Sequence, residues 1–347
     1  MNVYWFCPPY IYKNSDGALD SDVASLRYRM LIPQQYIAGK GHKLVIFMDA
    51  GAIPAELQES IQHNRNDAIV IISKPLNTSA TKDFEFLLSS NVPCVVDICD
   101  NHFTSDKHDL YTELCQLADR ITVPSNTMAE TVKQYSGKSS TIIFDSVEGL
   151  RVNVSFKPKS RLRLLWFGHP SNLQQLLSVL DSLNAFSASH PLAITVVTKD
   201  VYDFREIIEK KCVDAYKHII FGFIDWTRSA QEVALANADI VIIPSFDSES
   251  TKAKSANRVV QSLWAGKPVV AYPLPSYMEF QSYITLDKDL VRGIKNTINE
   301  TGSMKKKVRN GQMYINQNFS SATIGQKWLS LLEEVHNEPL EKESSER

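Results

Sequence analysis

The sequence predicts an α/β protein built from two Rossmann-like, doubly wound domains facing a central cleft. Three observations carry that reading. Short apolar runs of strand length alternate with helical spans along most of the chain. The alternation restarts after a polar segment, Glu148 to Lys159, which holds Lys-Pro-Lys near its end. One stretch, Ala238 to Ala271, contains a whole strand–loop–helix–turn–strand unit: Asp239–Ile243 suits a buried parallel strand, Pro244-Ser245 stops it, a helix follows to about Ala265, Gly266 ends the helix and Pro268–Ala271 begins the next strand. At 347 residues the chain is long for one domain and comfortable for two.

Taken in order, Val3–Cys7 reads as the first strand, closed by Pro8-Pro9, and the loop to Ser21 reads as exposed and mobile. A helix is expected from Asp22 to Ala38. Strands follow at Leu44–Met48, Asp67–Ile72, Val92–Ile98, Arg120–Val123 and Ser140–Phe144, with helices over Pro54–His63, Phe84–Ser89, around Leu110–Leu117 and over Met128–Tyr135. In the second half, strands are expected at Arg161–Phe167, Leu192–Thr198 and His218–Phe221. Helices are expected along Leu173–Leu183, Phe204–Cys212, Ser229–Asn237 and Leu290–Glu300, and the last amphipathic helix is marked by Phe319, Ile324, Trp328, Leu331 and Leu332. The implied organisation is a first domain over 1–155, a second over 156–318, a last helix over 319–336 and a polar tail over 337–347.

Composition narrows the function. Charged residues make up 22% and apolar residues 44%, with a formal net charge of -2, so a soluble globular protein is expected and a nucleic-acid partner is not. Cys7, Cys94, Cys99, Cys115 and Cys212 show no CxxC spacing, and Cys94, Cys99 and Cys115, in apolar settings, read as reduced core thiols of a cytosolic protein rather than a metal or redox site. No apolar run reaches the length of about 18 residues that a membrane span needs, and MNVYWFCPPY shows no basic leader. Neither GxGxxG nor a Walker A sequence is present.

Six constellations could carry chemistry. Lys252, Lys254, Ser255, Asn257 and Arg258 surround one expected helix start, with Ser255 as a candidate cap. Cations there oppose the helix dipole, so helix stability does not account for them, whereas a bound diphosphate would; Lys254 and Arg258, four apart, would share a face. An ordinary solvated basic loop is the plainer alternative. Gly168-His169-Pro170-Ser171-Asn172 follows a buried strand, where a glycine admits a ligand to the backbone and Ser171 or Asn172 can cap a helix. Asp97, Asp100 and His102 cluster at the end of the fourth strand; His102 could take a proton from a hydroxyl, Asp-x-x-Asp could hold Mg²⁺, or the aspartates could only tether a loop. Ser25, Arg27, Tyr28 and Arg29 fall early in the first helix, where the arginines could reach an anion or simply lie on the surface. Gly222, Phe223 and Trp226, in Phe221–Trp226, could hold a nucleobase or pack in the core. The basic run Lys305–Arg309 could touch acidic lipid head groups or form a solvated helix end.

The stretches ADRITVPSNTMAETV, TIIFDSVEG, FGFIDW, ANADIVIIPS and VVQSLWAGKPVVA resemble the GT-B fold glycosyltransferases, in the family-four-like group of bacterial polysaccharide and cell-surface glycan enzymes. The resemblance covers nearly the whole chain. The pair of glutamates common in that group falls here on Ala253 and Gln261, with Glu249 four residues too early, and the glycine-rich first loop is replaced by the Ser25-x-Arg27-Tyr28-Arg29 form. The resemblance implies an acceptor-side first domain, a second domain that binds a nucleotide-diphosphate sugar, and a last helix that crosses back to the first domain. It implies transfer of a sugar to a hydroxyl of a glycan or lipid-linked acceptor, in the cytoplasm or at the inner face of the membrane, with room for peripheral membrane contact. The donor would meet Gly168, His169, Ser171, Gly222, Phe223, Lys254, Ser255, Asn257, Arg258 and Gln261. Asp100, His102, Lys254 and Arg258 would act in catalysis, and Arg27, Tyr28 and Arg29 would lie on the acceptor side. No metal or other cofactor is expected, because the cations can neutralise the leaving diphosphate. The alternatives are a non-catalytic protein of the same fold that binds a sugar or a partner, a nucleotide-sugar epimerase, and a phosphosugar transferase.

Overall fold

The computed structural model describes residues 1–48, 53–75, 85–87, 89–158, 160–212, 216 and 218–338. The tail beyond Glu338, Lys159 and parts of the Phe84–Ser89 segment lie outside them, as does the side chain of Cys212. The chain divides into two compact units: Met1–Ser146 with Ala253–Ser255 and the residues from Asn318 on, and Val147–Lys252 with Ala256–Gln317.

The first unit holds strands β1 (Asn2–Cys7), β2 (Ile11–Lys13), β3 (Leu19–Ser21), β4 (Lys43–Met48), β5 (Ala68–Ser73), β6 (Cys94–Asp97), β7 (Arg120–Val123) and β8 (Thr141–Ile142). Its helices are α1 (Ala24–Leu26), α2 (Ile32–Gly39), α3 (Ala55–His63), α4 (His108–Leu117) and α5 (Asn126–Ser136). Six strands form one parallel sheet in the order β4-β1-β5-β6-β7-β8. Alternation along β1 sends Tyr4 and Phe6 to one core and Val3, Trp5 and Cys7 to the other. The second core also takes Ile324, Trp328, Leu331, Leu332 and Val335 of the last helix, with Trp328 5.0 Å from Trp5 between ring centroids.

Two local expectations are corrected. The loop after β1 is an antiparallel hairpin, β2 with β3, because Asn14 Oδ1 accepts from the backbone N–H groups of Asp16 and Ala18 and so closes the turn locally. The first helix is not continuous: a π segment, Arg27–Leu31, separates α1 from α2 and buries Arg27, Tyr28 and Arg29. Such widened turns re-aim side chains that a regular helix would leave outside.

The second unit holds β9 (Leu162–Phe167), β10 (Leu192–Thr198), β11 (Ile219–Asp225), β12 (Ile240–Ile243), β13 (Val269–Ala271) and β14 (Thr285–Leu286). Its helices are α6 (Leu173–Leu177), α7 (Leu180–Ser187), α8 (Val201–Cys212), α9 (Arg228–Asn237), α10 (Glu249–Lys252), α11 (Asn257–Trp264), α12 (Leu290–Asn299) and α13 (Thr301–Asn318); α14 (Ser321–Asn337) is the last helix and belongs to the first unit. The sheet is parallel, in the order β11-β10-β9-β12-β13-β14. Polar residues after Glu148 pack on this unit: Val152 N–H donates to Trp264 O, Trp264 Nε1 to Gly149 O, and Gln312 Nε2 to Val152 O. The basic run Lys305–Arg309 is not a helix end. It lies inside α13, whose Met304 and Val308 are buried while Lys306 and Arg309 are exposed.

Among the described residues Cys7, Cys94, Cys99 and Cys115 are buried free thiols. No helix of the described residues is long and apolar enough to cross a membrane.

Candidate functional site

Open parallel sheets bind ligands outside the carboxyl ends of their strands, where the strand order reverses. In the second unit that point lies between β9 and β12, whose chains lead away in opposite directions. Gly168 follows β9, and the loop from Pro244 to Ala256 follows β12 and enters α11. The topology therefore brings Gly168 beside Arg258, 90 residues later: a Cβ built on Gly168 would lie 3.6 Å from Arg258 Nη1 and 3.5 Å from Trp166 Cζ2. Arg258 Nη1 is buried and makes no hydrogen bond to the described residues. A buried donor left unmatched costs about 1–3 kcal/mol, and more when charged, so this guanidinium is held in a position its own fold does not repay. The start of α11 has Ala256 as N-cap and no side-chain cap, so the first-turn N–H groups and Arg258 form one electropositive corner.

The neighbours of that corner differ from expectation. Ser255 does not cap the helix, which starts at Asn257. Lys254 precedes the helix, so the four-residue spacing to Arg258 does not put both on one helical face; Ala253–Ser255 belongs with the first unit, where Lys254 contributes to lowering the pKa of Asp100. Lys252 is neutralised by Glu249 at 2.8 Å and Asp247 at 3.5 Å. The turn after Gly168 is capped by His169, whose Nδ1 accepts from Ser171 N–H at 3.2 Å and lies 2.9 Å from Ser171 Oγ; Asn172 holds the N-cap position of α6 without a side-chain capping bond, and Ser171 is not a cap.

Phe221–Asp225 is strand rather than loop, and β11 is an edge strand. Gly222 and Phe223 thus sit mid-strand, away from its carboxyl end, and Phe223 stacks on Phe221 with centroids 6.0 Å apart. The aromatic at the strand end is Trp226. Its Nε1 donates to Gln231 Oε1 at 2.8 Å, and Gln231 Nε2 donates to Gln261 Oε1 at 2.8 Å, so Gln261 of α11 is tied by one chain of side chains to Trp226.

In the first unit the order reverses between β1 and β5. The π segment turns Arg29 inward, not toward an acceptor. Its guanidinium donates to Asp97 at 2.6 and 2.9 Å, to Ile143 O at 2.6 Å and to Asp145 Oδ1 at 3.0 Å. Asp97 also accepts from Ser73 Oγ at 3.0 Å and Thr122 Oγ1 at 2.8 Å. Burial opposes the Arg29 charge, but Asp97 and Asp145 outweigh it and keep the residue a cation. Arg27 is buried too, donating to Ser21 O at 2.7 Å, with its guanidinium 5.3 Å from the Tyr28 ring centroid. Asp97 is thus committed to a structural network, and among the described residues no group of three or more His, Cys, Asp or Glu that could hold a metal ion is found.

Asp100 and His102 stand just beyond that network. Asp100 is half-exposed and pairs with Lys74 Nζ at 2.7 Å. Burial raises its pKa, but Lys74, His102 and Lys254 together hold the carboxyl below its usual value. His102 lies against Tyr111, centroids 4.9 Å apart, and its Nε2 is buried without a hydrogen bond to the described residues. Burial, Lys107 and Lys74 push its pKa down against the pull of Asp100 and Asp106, so it is a neutral imidazole at pH 7. A neutral ring with an unmatched nitrogen can accept a proton. Lys74 was missed by sequence reasoning. Its only local signal is a charge placed directly after a β-branched strand.

No family model and no curated protein matched the sequence. Solved structures did. A glycosyltransferase from Rickettsia africae superposes with a TM-score of 0.71 at 12% identity, over 97% of this chain and 99% of that one. HepE from Anabaena, solved in complex with UDP-glucose, gives 0.66 at 14% identity, over 96% and 100%. AviGT4, a glycosyltransferase involved in avilamycin A biosynthesis, gives 0.56 at 14% identity, over 96% and 98%. The fold is GT-B. Both doubly wound sheets share it, and the sequence resemblance anticipated it.

Proposed function

We propose that this protein transfers a sugar from a nucleotide-diphosphate sugar to a hydroxyl of a glycan or lipid-linked acceptor. The observation that carries this is the unmatched Arg258 Nη1 beside Gly168 at the reversal point of the second sheet. A diphosphate there would accept from Arg258 and from the first turn of α11, and the missing Cβ of Gly168 lets it approach. The same contacts would stabilise the charge that develops on the departing diphosphate, which is what a metal ion supplies in other enzymes. Asn257 and Gln261 extend along the same helix toward the donor. Trp226 offers a ring face for the base, and Ser171 and His169 flank the sugar side. In the first unit, neutral His102 would take the proton from the acceptor hydroxyl, with ionised Asp100 hydrogen bonding to the acceptor. The cationic face of α13 supplies a surface for anionic lipid head groups.

HepE was solved with UDP-glucose, which makes that compound the first probe. Thermal shift with UDP-glucose and with GDP- and dTDP-sugars, each with and without Mg²⁺, should show stabilisation by one of them that is lost in Arg258→Ala, with a CMP-sugar, which carries a single phosphate, as the negative control. Incubation of the stabilising donor with glycan acceptors should release free nucleoside diphosphate and a new glycoside; an isomerised donor would indicate epimerisation instead. Absence of any shift from a folded sample would overturn the donor assignment.

A further inference from the structure

Lys74 directly follows β5, at the reversal point of the first sheet, and it pays a backbone cost to be there. Its φ is +52°, a left-handed conformation that favours glycine. A non-glycine residue held so costs on the order of 1–3 kcal/mol. Its N–H donates to Asp97 O at 3.1 Å, which anchors the bend to β6, while Nζ reaches Asp100 Oδ2 at 2.7 Å and Ser25 Oγ at 3.3 Å. The ion pair does not account for the strain, because a pair with a half-exposed carboxylate contributes only about 0–1 kcal/mol. Stability alone would favour glycine at this position and a solvated Asp100. The bend instead delivers one ammonium to three elements, the β5 end, α1 and the loop after β6, and fixes the carboxylate two residues before His102.

From this geometry we infer that Lys74 is a positioning residue of the acceptor end: it clamps the Asp100 carboxylate and the Ser25 hydroxyl in one place, so that Asp100 faces the acceptor hydroxyl in a fixed orientation beside His102. The inference rests on the transfer reading above for what the clamp serves, but the clamp itself is testable without turnover. Asp100 neutralises the Lys74 ammonium, so the pair offers no net positive charge to a phosphate, and the acceptor group received here is a neutral hydroxyl.

The test follows the His102 imidazole by NMR titration of the full-length, histidine-labelled protein, with its signal assigned by loss in His102→Gln. The charges facing the ring are Asp100, Asp106, Lys107 and Lys74, and those facing Asp100 are Lys74, His102 and Lys254. Lys74→Met removes a repelling charge and frees Asp100 from its partner, so the His102 titration should move to higher pH. Lys74→Arg should restore the wild-type position, and Asp100→Asn should move it to lower pH. A His102 titration unchanged in folded Lys74→Met would overturn the clamp. With UDP-glucose or whichever donor the panel selects, Lys74→Met should lower kcat by about 10²-fold with donor KM unchanged. If no donor is turned over by the wild type, the transfer reading fails while the titration still decides the clamp.

Discussion

The two units dispose of their inward-reaching cations in opposite ways. In the first unit Arg29 is matched on every side by Asp97, Asp145 and Ile143 O, and Lys74 is matched by Asp100. In the second unit Arg258 leaves a buried nitrogen unmatched against Gly168. A closed network rigidifies a strand end and has nothing left over for an anion; an open one retains a donor for a ligand. The proposed transfer reading draws on this difference, giving anion recognition to the second sheet and hydroxyl chemistry to the first.

The largest effect that tests this contrast is Arg29→Ala. Removing the guanidinium strands two carboxylates, Asp97 at 0% exposure among them, and should cost about 3–5 kcal/mol in urea unfolding. A loss below about 1 kcal/mol would show that the network is not closed as described. The counterpart is Arg258→Ala, expected to keep its melting temperature while losing about 10²–10³-fold in transfer rate. Loss of stability without loss of donor binding would make Arg258 structural and cancel the contrast. Gly168→Ala is the gentler probe. The added Cβ meets Trp166 and Arg258 at ordinary contact distances, so folding should be untouched, whereas donor affinity should fall about tenfold through the occupied corner.

The smallest effect concerns acid. The folded pKa of Asp100 is lowered, mainly by Lys74 against the opposing effect of burial, so its stabilising contribution is present above the unfolded value and is lost as pH falls through the folded one. Because the carboxylate is half-exposed, the contribution should stay under about 1 kcal/mol. Urea midpoints of wild type and Asp100→Asn should therefore differ slightly at pH 6 and converge toward pH 2. A gap that widened in acid would reverse the sign of the Lys74 interaction.

Much of the architecture was legible because each strand writes its own signature. Runs such as Ile240–Ile243, buried on both faces, must be continuously apolar, and helices must repeat every three to four residues. The place of Arg258 in the first turn of α11 was legible too, since Gly266 marks the end of that helix and the apolar spacing of Val259, Val260 and Leu263 marks its face. Less visible were the π segment, which turned Arg29 from an expected acceptor contact into a buried network, and the hairpin after β1, closed by a single asparagine side chain. A register change of one residue within a helix leaves no mark on a hydrophobic period.

By itself, then, the sequence determined the alternation of strands and helices, the restart that separates two sheets, and the cation at the start of α11. Tertiary structure alone decided which strand ends meet. Gly168 and Arg258 are brought together because β9 lies beside β12, and Lys74 reaches Asp100 because β5 lies beside β6. Local propensity acts over a few residues, whereas strand order is settled by how a whole sheet buries both of its faces, so the partner of each charged side chain is fixed only when the sheet closes.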